Sequence, residues 1–217
     1  MNRKKLVFLT GTRADFGKLK SLISITQKFE SYDVHIFVTG MHMNSLYGST
    51  IDEIRKNGFD NIYPFINHDS IENMDRTLAK TIDGFSHFIA EIKPDLIIVH
   101  GDRVEAMAGA IVGSLNNILV AHIEGGEVSG TIDELVRHAV SKMSHIHLVA
   151  NKEARMRLIQ LGELPSSIFV LGSPDLDLMS SEKLPSIDDI KEYYDIEFKD
   201  FSIAMFHPVT TEYKNIQ

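Results

Sequence analysis

The sequence predicts an α/β protein built on a doubly wound, Rossmann-like parallel sheet. Short apolar runs alternate with segments of helical periodicity along most of the 217-residue chain, which is the pattern of repeated βα units. Leu96–His100 is an uninterrupted apolar run, as in a central parallel strand. From Ile132 to Met143, apolar residues repeat along one helical face, directly after a glycine-rich turn. Open sheets of this kind bind their ligands at the carboxyl ends of the strands, so we expect the site there.

The shortest apolar runs are predicted to be strands. Each is bounded by polar or turn residues, and the third has the weakest pattern. In chain order the strands are Leu6–Thr10, Val34–Thr39, Asn61–Ile66, Leu96–His100, Ile118–Ile123, Ile146–Ala150 and Ile168–Leu171.

The segments between the strands are predicted to be helices. In chain order they are Phe16–Glu30, Leu46–Asn57, Ile71–Ile92, Val104–Leu115, Ile132–Met143 and Lys152–Leu161. Gly58 ends the second helix and Pro94 stops the third, as these residues do at helix ends. The fourth helix is rich in Ala and Gly, which allows it to approach the sheet closely. Gly11–Asp15, between the first strand and the first helix, is predicted to be a loop.

The pattern changes near Gly172-Ser-Pro174, which suggests a domain boundary. Residues 180–199 are polar and charged and include Pro185, and Phe201–Phe206 then has the character of a new strand. We therefore expect one domain over residues 1–174 and the start of a second over residues 175–217. The second stretch is too short for an α/β domain of its own, so we expect it to be truncated.

The composition excludes several classes of protein. The formal charge is −8 without a basic block, which argues against a nucleic-acid partner. The absence of cysteine excludes disulfides and thiolate chemistry, and it fits a reducing compartment. The apolar run Leu6–Leu9 behind the basic N-terminus is a first strand and not a signal peptide. No stretch approaches the roughly 20 apolar residues of a membrane span.

The first strand leads into Thr10-Gly-Thr-Arg-Ala-Asp-Phe-Gly-Lys18, which we interpret as an anion site. Backbone N–H groups at a glycine-bearing turn, a helix N-terminus and the cations Arg13 and Lys18 favour bound negative charge. The stretch is not a Walker A loop, because its glycine spacing is too long and Leu19 replaces the required Ser or Thr. It is not a G-x-G-x-x-G dinucleotide fingerprint either. A plain surface charge is the alternative interpretation of Arg13.

Two other strand ends carry acidic residues. Asp102 and Arg103 follow Leu96–His100, where the crevice of the sheet opens, and an N-cap role is the alternative for Asp102. Glu124 follows the next strand. His122, within that strand, is interpreted as a packed core residue.

The helix after the glycine-rich turn carries further candidates. Thr131 is a suitable N-cap, and Glu134 three residues later is interpreted as completing a capping box. Asp133 and Arg137 are four residues apart on one side of the helix. They form either a surface ion pair or a pair that faces the ligand, and the spacing alone does not decide between these.

The remaining histidines give weaker signals. His207 follows the predicted strand Phe201–Phe206, where a structural and a functional role are both compatible with the sequence. His145 and His147 share one face of a strand. Two histidines without a third ligand are weak evidence for zinc, so we interpret them as structural and predict no metal site.

In combination, these motifs resemble the hydrolysing UDP-N-acetylglucosamine 2-epimerases, which include bacterial enzymes of the sialic-acid pathway. The Gly-Gly-Glu that follows Glu124 and the Thr-Ile-Asp-Glu helix start favour the hydrolysing branch over the non-hydrolysing one. The matching stretches cover the whole chain and are Gly11-Thr-Arg-Ala-Asp15 with Lys18, Gly101-Asp-Arg103, His122-Ile-Glu-Gly-Gly-Glu127, Gly130-Thr-Ile-Asp-Glu134 with Arg137-His138, Gly172-Ser-Pro174 and Phe206-His-Pro208.

The resemblance implies a two-domain, GT-B-like fold, with this chain as its N-terminal half and the substrate in the cleft between the domains. It implies a cytoplasmic homo-oligomer, a dimer or tetramer, that uses a UDP-sugar and no cofactor. The catalytic residues that it implies are Asp102, Glu124, Asp133 and Arg137. The substrate-binding residues that it implies are Arg13, Lys18, Arg103, Gly126 and His207.

The implied activity is hydrolysis of UDP-N-acetylglucosamine to UDP and N-acetylmannosamine. C2–H of the sugar is not acidic by itself, but departure of UDP from C1 builds positive charge that acidifies it. A carboxylate can then remove the proton and leave a glycal, which is protonated from the other face and hydrated at C1. The alternatives are the same chemistry on a UDP-2,4-diacetamido-2,4,6-trideoxyhexose, a GT-B glycosyltransferase and a non-catalytic UDP-sugar-binding domain.

Overall fold

The computed structural model describes residues 3–45, 48–67, 73–179 and 184–204. Its centre is a sheet of seven parallel strands, so the predicted doubly wound α/β fold is confirmed. The strands are β1 (Lys4–Thr10), β2 (Tyr32–Val38), β3 (Ile62–Pro64), β4 (Leu96–His100), β5 (Leu119–Ile123), β6 (Ile146–Val149) and β7 (Ile168–Val170).

The first six helices follow the predicted order; α4 has the predicted bounds and the other five differ at one or both ends, whereas α7 and α8 were not predicted. Within the described residues they are α1 (Arg13–Thr26), α2 (Ile51–Lys56), α3 (Met74–Ile92), α4 (Val104–Leu115), α5 (Ile132–Lys142), α6 (Lys152–Gln160), α7 (Asp175–Met179) and α8 (Ile187–Tyr193). The second helix begins later than predicted, because Gly48 and Ser49 have positive φ angles that a helix does not accept. The predicted helix starts at Leu46 and Ile71 lie outside the described residues.

The strand order is β3-β2-β1-β4-β5-β6-β7. The chain moves outward from β1 to β3 and then returns to place β4 on the other side of β1. The order therefore reverses between β1 and β4, and this reversal opens a crevice at their carboxyl ends, where doubly wound proteins bind ligands.

The two faces of the sheet have separate cores. Buried side chains of α1 and α2 pack on one face with Leu6 and Phe8 of β1. Those of α3, α4 and α5 pack on the other face with Val7 and Leu9. This alternation along β1 is the period of two that a strand buried on both faces requires.

The prediction that Gly11–Asp15 forms a loop is wrong, because α1 begins at Arg13. Thr12 is the N-cap: its hydroxyl accepts from the Asp15 backbone N–H at 3.2 Å, and the Asp15 carboxylate accepts from the Thr12 backbone N–H at 2.9 Å. This capping box starts the helix before its first apolar residue, Phe16, which is why apolar periodicity alone places the start too late.

Contacts between residues divide the chain into two units, Met1–Ser180 and Ser181–Gln217. In the second unit, α8 has a capping box formed by Ser186 and Asp189. The predicted strand Phe201–Phe206 is not formed over residues 201–204, and residues 205 and 206 lie outside the described part. Among the described residues, no helix combines the length and the apolar character that crossing a bilayer requires.

Asp15 provides a test of how the turn after β1 is held. Burial acts to raise its pKa, but the His42 ring, whose Nε2 lies 3.9 Å from Oδ1, and the hydrogen bonds from the Thr10 hydroxyl and from backbone N–H groups outweigh burial and lower it. Asp15→Asn turns an amide donor toward these donors, so we expect a loss of about 1–3 kcal/mol in the free energy of unfolding at pH 7.

Since the pKa is depressed in the folded state, the stabilisation is present above the unfolded aspartate pKa and is lost as pH falls through the folded value. The difference between wild type and Asp15→Asn in urea denaturation should therefore shrink from pH 7 to pH 3. The exposed Asp60→Asn serves as a control. An unfolding difference that is constant over this pH range would show that the charge of Asp15 contributes nothing.

Candidate active site

The ends of β1, β4 and β5 meet at the edge of the sheet where the strand order reverses. The Gly101 N–H donates to the Ile123 carbonyl at 3.0 Å. The His122 ring braces the same turn, with Nε2 2.7 Å from the Gly101 carbonyl and Nδ1 3.0 Å from Ser141 Oγ. Burial lowers the pKa of His122 to about 3, so the ring is neutral. The prediction that His122 is a packed core residue is confirmed.

Glu124 is the centre of the site. It has φ +58°, a left-handed conformation that is unfavourable for a residue with a side chain. One carboxylate oxygen lies 2.6 Å from Lys18 Nζ and 2.8 Å from His100 Nε2. The other accepts from the Ser173 hydroxyl at 2.6 Å. Three donors from separate segments therefore converge on a single side chain.

The surroundings of Glu124 decide its charge. Burial alone would raise its pKa, but the bonds from His100, Lys18 and Ser173 outweigh burial and hold the pKa far below the ordinary range. Lys18 is also partly buried, yet Glu124 and Asp175 raise its pKa and keep it protonated. A carboxylate only accepts hydrogen bonds, so His100 must carry a hydrogen on Nε2.

Asp102 forms an ion pair with Arg137 across the crevice, from the end of β4 to α5. The N-cap alternative for Asp102 is wrong, because the N-cap of α4 is Arg103 and the cap lacks a side-chain hydrogen bond. The Nε of Arg137 is buried and has no hydrogen-bond partner among the described residues. The helix dipole does not explain this pairing, since Arg137 lies in the middle of α5, so Asp102 is what draws the guanidinium inward.

The helix start differs from the predicted capping box. Thr131 is the N-cap, but its hydroxyl accepts from the Asp133 N–H at 3.3 Å. Glu134 accepts from the N–H groups of Ser129 at 2.9 Å and Gly130 at 2.8 Å, and not from that of Thr131. Its carboxylate thus closes the turn before the helix. Asp133 is exposed and contacts the Thr131 hydroxyl at 3.3 Å.

The other predicted site residues lie around this centre. Arg13 is 74% exposed and forms an ion pair with Glu53 at 3.1 Å. Arg103 donates through Nε to Glu105 Oε2 at 3.2 Å. Gly126 has φ +78° and is buried so tightly that a Cβ there would lie 2.5 Å from the Ala154 carbonyl oxygen. His207 lies outside the described residues.

Two members of the cluster had no role in the sequence analysis. His100 belongs to the motif before Asp102, but nothing in its spacing indicates that its ring meets Glu124. Ser173 belongs to the motif that marked the domain boundary. The available signal was topological: β4, β5 and β7 are parallel, so the residues that follow them emerge at the same edge.

The arrangement suits acid–base chemistry on a charged ligand. Asp102 and Glu124 follow adjacent strands, and each is bound by a cation, Arg137 or Lys18. Such groups can exchange protons and stabilise developing charge in a crevice. The described residues contain no group of three or more His, Asp or Glu side chains placed to hold a metal ion.

Comparison with known proteins identifies the family. The family model described as UDP-N-acetylglucosamine 2-epimerase matches residues 25–217. The chain belongs to the UDP-N-acetylglucosamine 2-epimerase family. It is 50% identical over 209 residues to the UDP-N-acetylglucosamine 2-epimerase of Neisseria meningitidis serogroup B, which covers 96% of this chain and 55% of the relative.

A second epimerase relative carries a different substrate in its name. The UDP-N,N'-diacetylbacillosamine 2-epimerase (hydrolyzing) of Legionella pneumophila is 38% identical, over 99% of this chain and 58% of the relative. Among solved structures, the UDP-GlcNAc 2-epimerase of Methanocaldococcus jannaschii in complex with UDP-GlcNAc and UDP matches with a TM-score of 0.75 and 25% identity, over 88% of this chain and 53% of that one. The solved epimerases have a GT-B-like fold, and the chain spans about half the length of the relatives it matches.

Ser173 offers a direct test of the Glu124 cluster. Ser173→Ala removes one of the three donors, so the pKa of Glu124 should rise toward the ordinary glutamate range. The measurement is a carbon-13 NMR titration of the side-chain carboxylates in the full-length protein, with the Glu124 resonance identified by its loss in Glu124→Gln.

Ser21→Ala is the matched control, because the Ser21 hydroxyl bonds Asp177 at 3.2 Å and not Glu124. It should leave the Glu124 titration unchanged. If Ser173→Ala also left it unchanged, the hydrogen bond from Ser173 would have no electrostatic effect on the carboxylate.

Proposed function

We propose that the chain is part of a hydrolysing UDP-N-acetylglucosamine 2-epimerase, which converts UDP-N-acetylglucosamine and water to N-acetylmannosamine and UDP. The observation that carries the proposal is the Glu124 carboxylate, held ionised by three donors beside the Asp102–Arg137 pair. The names of the Neisseria and Legionella relatives support the substrate and the hydrolysing reaction, respectively.

The reaction requires different properties from its carboxylates. As UDP leaves C1, positive charge develops on the sugar, and a fixed negative charge nearby lowers the barrier. Glu124 suits this role, because a carboxylate whose pKa is strongly depressed is a weak base. Asp102 and Asp133, which lie nearer to solvent, then exchange the protons at C2 on opposite faces of the sugar. Arg137 orients Asp102 and screens its charge.

The leaving group requires cations. We propose that Arg13, Arg103 and His207 bind the UDP portion, that Lys18 lies near the sugar, and that Gly126 also belongs to the substrate-binding residues. The N-terminus of α4 borders the crevice at the strand reversal, and its cap lacks a side-chain hydrogen bond, so its backbone N–H groups favour phosphate. In the turn after β1, the N–H groups of Gly11 and Thr12 are bound by the Asp15 carboxylate. The proposed enzyme is a cytoplasmic hydrolase of the sialic-acid pathway that acts as a homo-oligomer, a dimer or tetramer.

The second candidate changes the sugar and keeps the chemistry. The Legionella relative is named for UDP-N,N'-diacetylbacillosamine, a UDP-2,4-diacetamido-2,4,6-trideoxyhexose, and it is 38% identical to this chain. Comparing kcat/KM for the two UDP-sugars separates the candidates, since the preferred substrate is the one with the higher ratio.

The test of the proposed function is incubation of the full-length protein with UDP-N-acetylglucosamine in D₂O. We expect release of UDP and N-acetylmannosamine that carries deuterium at C2, because protonation of a glycal takes a solvent hydron. Proton NMR measures both. Formation of UDP-N-acetylmannosamine as the final product would exclude the hydrolysing branch, and N-acetylmannosamine without deuterium would exclude elimination.

The proposed proton exchange is tested by Asp133→Asn. The substitution keeps shape and removes proton transfer, so kcat should fall by about 10²–10⁴-fold. The melting temperature should barely change, since the side chain is exposed. Asp52→Asn is the control, because Asp52 is also an exposed acid in the first turn of a helix. Full activity of Asp133→Asn would remove this residue from the reaction.

A further inference from the structure

Glu105 is a buried carboxylate that the proposed reaction leaves unused. It lies in the first turn of α4 and is only 2% exposed. Acidic side chains are rarely buried this deeply unless they are paired. Its partner is Arg103, whose Nε donates to Oε2 at 3.2 Å. Arg103 and the N-terminus of the helix together offset the cost of burying this charge.

The side chain of Glu105 also fills the space between the turns that follow β1 and β2. A Cβ at Gly11 would lie 2.9 Å from Glu105 Cδ, and a Cβ at Gly40 would lie 2.6 Å from Oε1. Both turns approach the carboxylate so closely that they require glycine. The Glu105 side chain therefore lies in the first turn after β4 and packs against the turns that follow β1 and β2.

The Arg103 guanidinium is bonded to Glu105 through Nε, and the side chain is still partly accessible to solvent. Its side chain is 38% exposed, whereas that of Glu105 is 3% exposed. A guanidinium bonded through Nε still has its two Nη groups, the planar fork that binds phosphate oxygens in pairs. An arginine without such a contact would lose more side-chain entropy when it bound an anion.

We propose that Glu105 is a positioning residue, which holds Arg103 in the orientation that binds the departing diphosphate of the nucleotide sugar. The inference rests on the proposed function, because it assumes that Arg103 contacts the diphosphate. Glu105 itself does not touch the substrate. Its effect is to place the guanidinium before the nucleotide binds.

Two effects of Glu105 on UDP binding are opposite in sign and can be separated. Its negative charge repels the phosphates, and its hold on Arg103 favours them. Glu105→Gln removes the charge and keeps an oxygen that accepts from Nε, so UDP should bind as tightly as in wild type or more tightly. Glu105→Ala removes both, and the loss of positioning should weaken UDP binding by about five- to tenfold.

The experiment is calorimetric titration of UDP into the full-length wild type, Glu105→Gln, Glu105→Ala, Arg103→Ala and the double variant Arg103→Ala/Glu105→Ala. Once Arg103 is gone, Glu105→Ala should no longer weaken UDP binding, because nothing remains to be positioned, and loss of the opposing charge should leave Kd unchanged or lower. An equal loss of affinity in the Arg103→Ala background would mean that Glu105 supports only the fold. Tighter binding by both Glu105 variants would mean that it acts only as an opposing charge.

Arg103→Lys tests the proposal without altering Glu105, should the alanine variant fail to fold. A lysine keeps the positive charge but cannot bond Glu105 and present a fork at the same time, so UDP should bind at least about fivefold more weakly. Unchanged affinity would overturn the positioning role. Absence of UDP binding by the wild type would contradict the proposed function itself, before any variant is compared.

Discussion

The burial of the Glu124 charge is the constraint on which the site depends. Removing a carboxylate from water costs several kcal/mol unless other groups compensate for the lost hydration. Here the compensation comes from Lys18 of α1, His100 of β4 and Ser173 after β7. None of the three is close to Glu124 in sequence. The charge is therefore stable only where the sheet has brought β1, β4 and β5 together and the turn after β7 has returned to them.

The backbone at Glu124 shows that chemistry and not conformation selects the residue. With φ +58°, a glycine would be the easier choice, and it would relieve a strain on the order of 1–2 kcal/mol. The next two residues are glycines for a steric reason. A Cβ at Gly125 would lie 2.7 Å from Ser141 Oγ, and one at Gly126 would lie 2.5 Å from the Ala154 carbonyl oxygen. Packing thus requires glycine at 125 and 126, and the chain nevertheless keeps glutamate at 124. Strain of this kind is typical of functional positions.

The sequence predicted the parts of the fold that depend on local pattern. The strand β4 (Leu96–His100) and the Ala- and Gly-rich helix α4 have the predicted bounds, because the apolar pattern of the sequence matches the burial of these elements. The start of α1 was missed, since Thr12 and Asp15 begin the helix through hydrogen bonds that apolar periodicity does not register. The bond between His100 and Glu124 joins two strands through side chains, and no spacing along the chain encodes such a distance. The role of Ser173 was hidden for the same reason.

The pairing of Arg137 follows from the relative strength of two interactions. Asp133 lies one turn away on the exposed side of α5, where an ion pair is worth a few tenths of a kcal/mol. Asp102 lies in the crevice, where less water screens the charges, and a charge-assisted bond is correspondingly stronger. Arg137 therefore pairs with Asp102 in the crevice. Asp133 is exposed at the start of the helix. In the proposed reaction, the same preference leaves Asp102 bound to a cation in the crevice and leaves Asp133 open to solvent at the start of the helix.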